Sequence, residues 1–447
     1  MILMKKIESE RQTSTMRTKD LIQPLVGTEK IIVTNVFAVA ETNAFVILAR
    51  PSKGEQCRCG ICGRKAKYYD KGSQTRRWRC NDLGAAKIYI EAQLPRVSCT
   101  KHGVVTSSVP WARHGSRFCK SFEETVVWLS VHASKTAVSE LMRIEWHTVG
   151  DLCGRVYKEL ETKATSRFDG LVNIGIDETS YKKGHKYMTV VVNHDTASVV
   201  WCAKGYGKEV LSLFFEQLSP EQRACIQCVS ADGAPWITSC VEKYCPKAER
   251  CVDPFHVVSW ATEALDKVRR QAWAEAHGTA KTAPKRGRGR PAKNEVSATE
   301  KSLAKGLKNS RYALLKNPEH LSENQQSQLE FLTKANPSLY RAYLLKENLR
   351  LALKSGPNEI AAVLKKWLAW AQRCRIPVFR ELRLKIQRHF HAILAAAKHH
   401  LSNARVEAIN NKIKLLIRIA YGFRNTDNMI AMIMLSCSSV HPSLPGR

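Results

Sequence analysis

Apolar positions along the chain change their period several times, and each change marks a different kind of element. KIIVTNVFAVA (30–40) and NAFVILAR (43–50) are rich in β-branched and aromatic residues and read as strands. A turn-rich block with several cysteines runs from Cys57 to about Trp111. From Ser121 to about Glu161 the spacing becomes helical, and TVVWLSVHAS, TAVSELMRIEW and HTVGDLCGRVYKEL each gather apolar residues on one face. Their succession predicts a helix-turn-helix whose second helix starts near His147, with three ordinary packed helices as the alternative.

From Leu171 the period is that of strands. LVNIGID, YMTVVVNH and SVVWCAKG come first, the last two joined by the turn DTA as a hairpin. A helical KEVLSLFFEQL, a strand in CIQCVSADG, a helical PWITSCVEKYC and a strand in AERCVDPF follow. Three strands, helix, strand, helix, strand is a mixed α/β order. Asp177 and Asp232 are expected to end the first and fourth strands. Residues 261–394 are helical in spacing, except for APKRGRGRPAKNE at 283–295, whose Gly and Pro predict an exposed linker.

A last helix begins near Ser402 or Asn403, either of which suits an N-cap. On a helical wheel Asn403, Glu407, Asn410, Asn411, Lys414 and Arg418 fall within about 60° of Glu407. Almost everything else is apolar, with Lys412 an exception, so the expectation is a largely buried helix with one narrow polar stripe and Glu407 as its single acid.

Composition and charge narrow the class. The chain has 447 residues, 44% of them hydrophobic, enough for two to four domains with cores of their own. Lys and Arg number 71 against 40 Asp and Glu, a net +31, which excludes a neutral housekeeping surface and points to a polyanionic partner, nucleic acid before membrane. No run approaches the ~18 apolar residues of a membrane span. The N-terminus lacks the apolar stretch of a signal peptide, so the expected location is the cytosol. Fifteen cysteines scattered through the chain fit reduced thiols and a metal site better than disulfides.

Two constellations carry chemistry. In CRCGICG, Cys59 and Cys62 form a CxxC pair with a glycine in its knuckle, and Cys99 and His102 repeat the spacing in RVSCTKHG. Together they can hold a structural Zn²⁺ tetrahedrally, although the 36 intervening residues exceed the usual ribbon interval of about 15–20 and Cys57 and Cys80 compete as ligands. The second constellation joins Asp177, Asp232 and Glu407. If the two strands are adjacent and parallel, both aspartates lie at one sheet edge, and clustered acids call for hard divalent cations. Two Mg²⁺ ions, with Mn²⁺ as a substitute, would suit phosphoryl transfer. KRGRGRPAK resembles an AT-hook that would place Arg288 and Arg290 in a narrow minor groove. His147, Asn411, Lys414 and Arg418 are the other candidate DNA contacts.

The segments IGIDETSY, VSADGAPW, CVDPFHVVSWATEALDKVRR and SNARVEAINNKIKLLIRIAYGFRN, in this order after a CGIC knuckle, resemble the ISL3 family of DDE transposases from bacterial insertion sequences. The likeness runs from Cys59 to about Asn425. It implies a ribonuclease-H-like catalytic domain with a helical insertion, preceded by a small zinc-binding domain and a helix-turn-helix region. It also implies Mg²⁺ on Asp177, Asp232 and Glu407, and double-stranded DNA, both terminal inverted repeats and target, as partner. A homo-oligomeric synaptic complex, acting at the bacterial nucleoid, is implied as well. The resulting division is 1–112 N-terminal strands and zinc-binding domain, 113–165 helix-turn-helix, 166–260 first part of the core, 261–394 insertion, and 395–447 Glu-bearing helix and C-terminus. Two departures stand out: the small Gly233 follows Asp232 where a bulkier residue is expected, and Asp253 and His256 have no assigned role. A decayed or domesticated DNA-binding protein without catalysis is the alternative, and a metal-dependent nuclease without joining activity a third.

Overall fold

The computed structural model describes residues 30–73, 75–163, 167–282 and 295–445. The chain divides into two compact units, with boundaries between Thr165 and Ser166 and between Lys412 and Ile413.

The first unit opens with strands β1 (Ile31–Val39) and β2 (Ala44–Pro51), which pair antiparallel. With β4 (Thr75–Arg79) and β5 (Lys87–Gln93) they form a sheet of order β1-β2-β5-β4, while β3 (Lys67–Asp70), β6 (Arg96–Cys99) and β7 (Gly103–Thr106) make a second, three-stranded sheet. Ile47, Ile88, Ile90, Trp78 and Trp111 fill the core beneath the larger sheet. Helices α1 (Lys120–His132), α2 (Lys135–Met142) and α3 (Trp146–Lys163) follow. Ser134 caps α2 by accepting from the Ala137 amide at 3.2 Å, and Arg143 ends it with a left-handed φ of 54°, so the chain turns sharply into α3. Cys80 and Cys119 are joined as a disulfide, with Cα atoms 5.1 Å apart. This corrects the expectation of reduced thiols at that pair and removes Cys80 as a competing metal ligand. The strand end at Cys80 and the residue preceding α1 meet in one buried corner, where Cys119 N donates to Arg79 O.

The second unit is built on a five-stranded sheet of order β10-β9-β8-β11-β12: β8 (Asn173–Lys182), β9 (Lys186–Asn193), β10 (Ser198–Lys204), β11 (Cys228–Ala231) and β12 (Glu249–Val252). β8, β11 and β12 run parallel, and β9 and β10 antiparallel to their neighbours. The run MTVVVN of β9 is buried at every position, as expected of a strand covered on both faces. α4 (Lys208–Glu216), α5 (Pro220–Cys225) and α6 (Pro235–Tyr244) connect the strands. The short α5 escapes the apolar pattern and is set instead by the capping box of Ser219 and Gln222.

After α7 (Pro254–Thr282) come α8 (Glu295–Asn309), α9 (Arg311–Leu315), α10 (Glu323–Ala335), α11 (Pro337–Ala352), α12 (Ile360–Arg373), α13 (Pro377–Arg388) and α14 (Phe390–Lys398). Their core gathers Leu307, Leu314, Leu345, Leu364, Phe379 and Ile386 with residues of α7. It also buries Lys346, which donates to Leu314 O at 3.0 Å and pairs with Glu347. The linker at 283–294, with Arg288 and Arg290, lies outside the described residues.

Helix α15 (Ala404–Ile419) corrects two expectations. It is not largely buried: Val406, Ile409, Asn410 and Ile413 are buried, whereas Leu415 and Ile419 are exposed. And the residues after Lys412 group with the first unit, where Leu435 of α16 (Thr426–Cys437) packs with Val149, Leu152 and Val156 of α3. No described helix is long and apolar enough to cross a membrane.

Candidate functional site

Strand β8 does not stop at Asp177. It continues to Lys182 because the hairpin partner β9 pairs with it as far as Lys182↔Lys186. Beyond Gly175 the other edge of β8 has no partner strand among the described residues, since β11 pairs only with Asn173, Ile174 and Gly175. Charged side chains are tolerated there. The register Gly175↔Ser230, carried two residues farther, sets Asp177 level with Asp232, which directly follows β11. Sequence reasoning therefore placed Asp232 correctly at a strand end and misplaced Asp177, which is interior to a longer strand.

Helix α15 approaches from the side. Asn410 Nδ2 donates to Asp177 Oδ2 at 2.7 Å, and the Glu178 amide donates to Asp177 Oδ1 at 2.9 Å. Burial raises the Asp177 pKa; the Glu178 amide and His256 oppose this, and the charges of Asp232 and Glu407 add to it. Asp232 and Glu407 thus both act electrostatically on Asp177. Glu178, adjacent to Asp177, was passed over in the sequence although it is the second acid of the same pair. Burial and then Asp232 and Asp177 push it up to about 7, and its Oε1 is buried without a partner. Asp253 is 2% exposed; its Oδ1 accepts from the Phe255 amide at 3.3 Å and its Oδ2 has no partner.

Asp232 Oδ1 accepts from the Ala234 amide at 2.9 Å, and its main-chain oxygen accepts from Arg250, whose guanidinium burial lowers to about 10. The small residue after Asp232 has a physical reason: a Cβ on Gly233 would stand 2.5 Å from Trp260 Cζ2 and 3.4 Å from His389 Nε2. Bulk that a side chain would supply is provided by Trp260, with Lys385 Nζ 3.8 Å from its ring centroid.

Among the described residues, one set of metal-ligating groups closes within 4.8 Å, namely Cys59, Cys62, Cys99 and His102. Cys59 Sγ lies 3.5 Å from His102 Nδ1, Cys62 Sγ 3.8 Å from Cys99 Sγ, and Cys99 Sγ 3.7 Å from His102 Nδ1. A tetrahedron with Zn–S of about 2.3 Å and Zn–N of about 2.0 Å has edges of about 3.5–3.8 Å. Gly60 is obligatory in the knuckle, because a Cβ there would strike Thr106 O and come within 2.8 Å of His114 Nδ1. Asp177, Asp232 and Glu407 do not form such a closed set.

His147 is exposed in the first turn of α3, and Asn411, Lys414 and Arg418 are exposed on α15. Asn403 and Asn410 of the same polar stripe are buried instead, at 0% and 4%.

Residues 174–433 match a family described as transposase, 107–157 the helix-turn-helix domain of transposase family ISL3, and 55–102 the zinc-finger of transposase IS204/IS1001/IS1096/IS1165. The chain belongs to the ISL3 family of transposases. It is 48% identical over 437 residues to the transposase for insertion sequence element IS1557 from two strains of Mycobacterium tuberculosis, covering 97% of this chain and 98% of the relative. It is 27% identical over 373 residues to the transposase for IS1001 of Bordetella parapertussis, covering 83% of this chain and 86% of that one. In this ISL3 chain the Cys₃His cluster lies within the matched zinc-finger segment, α1–α3 overlap the helix-turn-helix match, and Asp177, Asp232 and Glu407 fall inside the transposase segment.

Proposed function

We propose that this ISL3 transposase cuts DNA at the terminal inverted repeats of its own insertion sequence and joins the ends to a target, with Asp177, Asp232 and Glu407 as a DDE triad. The observation that carries the reading is the parallel register of β8 and β11, which, carried two residues past its last pair Gly175↔Ser230, brings Asp177 level with Asp232, with Glu407 acting electrostatically on Asp177. The strand order, three parallel strands extended by an antiparallel hairpin, supports a ribonuclease-H-like core. That core would be formed by 166–260 and the first part of 395–447 around the insertion 261–394, with a zinc-binding domain at 1–112 and helix-turn-helix at 113–165.

The donor set fits Mg²⁺: all three groups are hard carboxylates, and beside them, among the described residues, the buried Oε1 of Glu178 and Oδ2 of Asp253 have no hydrogen-bond partner. A pair of Mg²⁺ or Mn²⁺ ions held by Asp177, Asp232 and Glu407 would supply charge for activating the attacking oxygen and stabilising the leaving one. The protein's own part is to hold Asp177 through Asn410, to exclude bulk at Gly233, and to bring the phosphate with basic residues. In cleavage, water attacks the phosphorus at the element's end; a P–O bond forms, the P–O3′ bond breaks, and the element keeps a free 3′-hydroxyl. In joining, that hydroxyl attacks a target phosphodiester and the target's own 3′-oxygen leaves.

Zn²⁺ on Cys59, Cys62, Cys99 and His102 would be structural, since four protein ligands leave no open position. His147, Asn411, Lys414 and Arg418 are the proposed DNA contacts, together with Arg288 and Arg290 of the AT-hook-like linker. The enzyme would act as a homo-oligomeric synaptic complex at the nucleoid in the bacterial cytosol. The test is nicking of a duplex that carries the terminal repeat: the parent cuts with Mg²⁺ and Glu407→Gln does not. Equal cutting by the two refutes the triad, and binding unchanged in EDTA without any nicking by the parent favours a non-catalytic DNA-binding protein.

A further inference from the structure

Behind the carboxylates lies a chain of buried polar groups. His194 Nε2 is 2.6 Å from Ser230 Oγ, and Ser230 Oγ donates to Asn403 Oδ1 at 2.6 Å. The three residues are 1%, 1% and 0% exposed. A serine hydroxyl carries one proton. Donating it to Asn403, Ser230 must accept from His194, so the imidazole proton sits on Nε2.

Each member is tied to one of the three acids. Ser230 lies in β11 and precedes by two residues Asp232, which directly follows that strand. Asn403 precedes Glu407 by one helical turn, and the Glu407 amide donates to its carbonyl at 2.8 Å. His194 follows β9, whose Val190 pairs with Asp177, and its own main-chain oxygen accepts from Arg405 of α15. Gly175 leaves room for this crossing, because a Cβ there would strike Val406 and stand 2.6 Å from His194 Nε2. Two turns farther along α15, Asn410 holds Asp177. The helix is thus pinned to the sheet on both sides of Glu407.

We infer that His194, Ser230 and Asn403 form a positioning relay that sets the axial register and rotation of α15, so that Glu407 is presented to the metal pair held by Asp177 and Asp232. The inference rests on the triad proposed above. Val406, Ile409 and Ile413 supply burial on that helix but no fixed register, since an apolar seam tolerates sliding. Directional bonds between buried groups forbid it. Outer groups that orient a ligand are worth about 10–100-fold in metal affinity or activity.

The experiment compares full-length parent, Ser230→Ala, Asn403→Ala and His194→Gln at a temperature where circular dichroism shows all of them folded. Three quantities are measured: Mn²⁺ affinity of the DNA-free protein by calorimetry, Mg²⁺-dependent nicking of terminal-repeat duplex, and binding of that duplex in EDTA. The two alanine variants should bind Mn²⁺ about tenfold more weakly and nick about 10–100-fold more slowly. Duplex binding should be unchanged, and His194→Gln, which keeps a donor near Nε2, should stay within about threefold of the parent. Should either alanine variant not fold, His194→Phe, which keeps the ring and removes its donor, is held to the same criteria. Unchanged Mn²⁺ affinity in the disrupting variants, or a parallel fall in duplex binding, overturns the relay while leaving the triad standing. A parent that binds the repeat but does not nick it removes the triad and the relay together.

Discussion

The zinc-finger cluster and the carboxylate site answer the same problem, ligands with no charge partner, in opposite ways. Cys59, Cys62, Cys99 and His102 come from two short knuckles and close on one another within 4.8 Å, a complete coordination shell. Asp177, Asp232 and Glu407 come from strand β8, the turn after β11 and a distant helix, stay open, and among the described residues leave Glu178 Oε1 and Asp253 Oδ2 without partners. A closed soft-ligand site has nothing left to offer a substrate and serves the fold. An open hard-ligand site keeps positions for water and phosphate, as Mg²⁺ chemistry requires. On the proposed reading, structure and reaction fall to different regions of one chain.

The comparison can be broken at either end. Removal of metal from the zinc cluster, by Cys59→Ala or by a zinc chelator, should give the largest loss of stability, since apparent structural zinc energies reach about 10–16 kcal/mol. Hydrogen exchange should then report an opened segment 55–102 while β8, β9 and β11 stay protected. Protection that persists across 55–102 would mean that the cluster is not a folding site. At the other end, Asp177→Asn and Asp232→Asn should lower nicking about 10²–10³-fold without changing the melting of the sheet, read by the same exchange.

Intermediate effects sharpen the contrast within each unit. Arg113 bonds Glu123 at 3.0 Å and Glu124 at 2.9 Å and also pairs with Glu159, and Glu123 is fully buried with Ser116 at 2.6 Å as a further partner. Arg113→Ala leaves that carboxylate with Arg155, at 2.6 Å, as its remaining cation and should cost about 1.5–3 kcal/mol in the helix-turn-helix, measured by denaturant titration with hydrogen exchange. Gly175→Ala should cost about 1–3 kcal/mol by forcing α15 away from the sheet, and should slow nicking as well. The smallest expected effect is at Lys414→Ala and Arg418→Ala: each should reduce the salt dependence of duplex binding by about one phosphate contact, with nicking at saturating DNA unchanged.

How much of this was legible before the fold was known follows the range of the interactions. The zinc quartet was readable because each pair is fixed by spacing within one turn, and the α/β order because MTVVVN or VLSLFF carry their period locally. The end of β8 was misread at Asp177 because an acid looks like a stop, whereas pairing to one side only lets DETSYK continue the strand. The apolar arc of its helical wheel makes α15 read as largely buried, yet only one narrow face of it meets the sheet, and Asn403 and Asn410 take buried places there by bonding Ser230 and Asp177. The Cys80–Cys119 pairing and the effect of Asp232 on Glu178 depend on residues far apart in the chain and left no local signal.

The central claim is that Asp177, Asp232 and Glu407 hold metal together. Crystals of the full chain soaked in Mn²⁺ and measured for anomalous scattering test it most directly. Anomalous density is expected between these three carboxylates, lost in Glu407→Gln or reduced to a single weak peak. Density at other acids with none among these three, or peaks unaltered by Glu407→Gln, would contradict it.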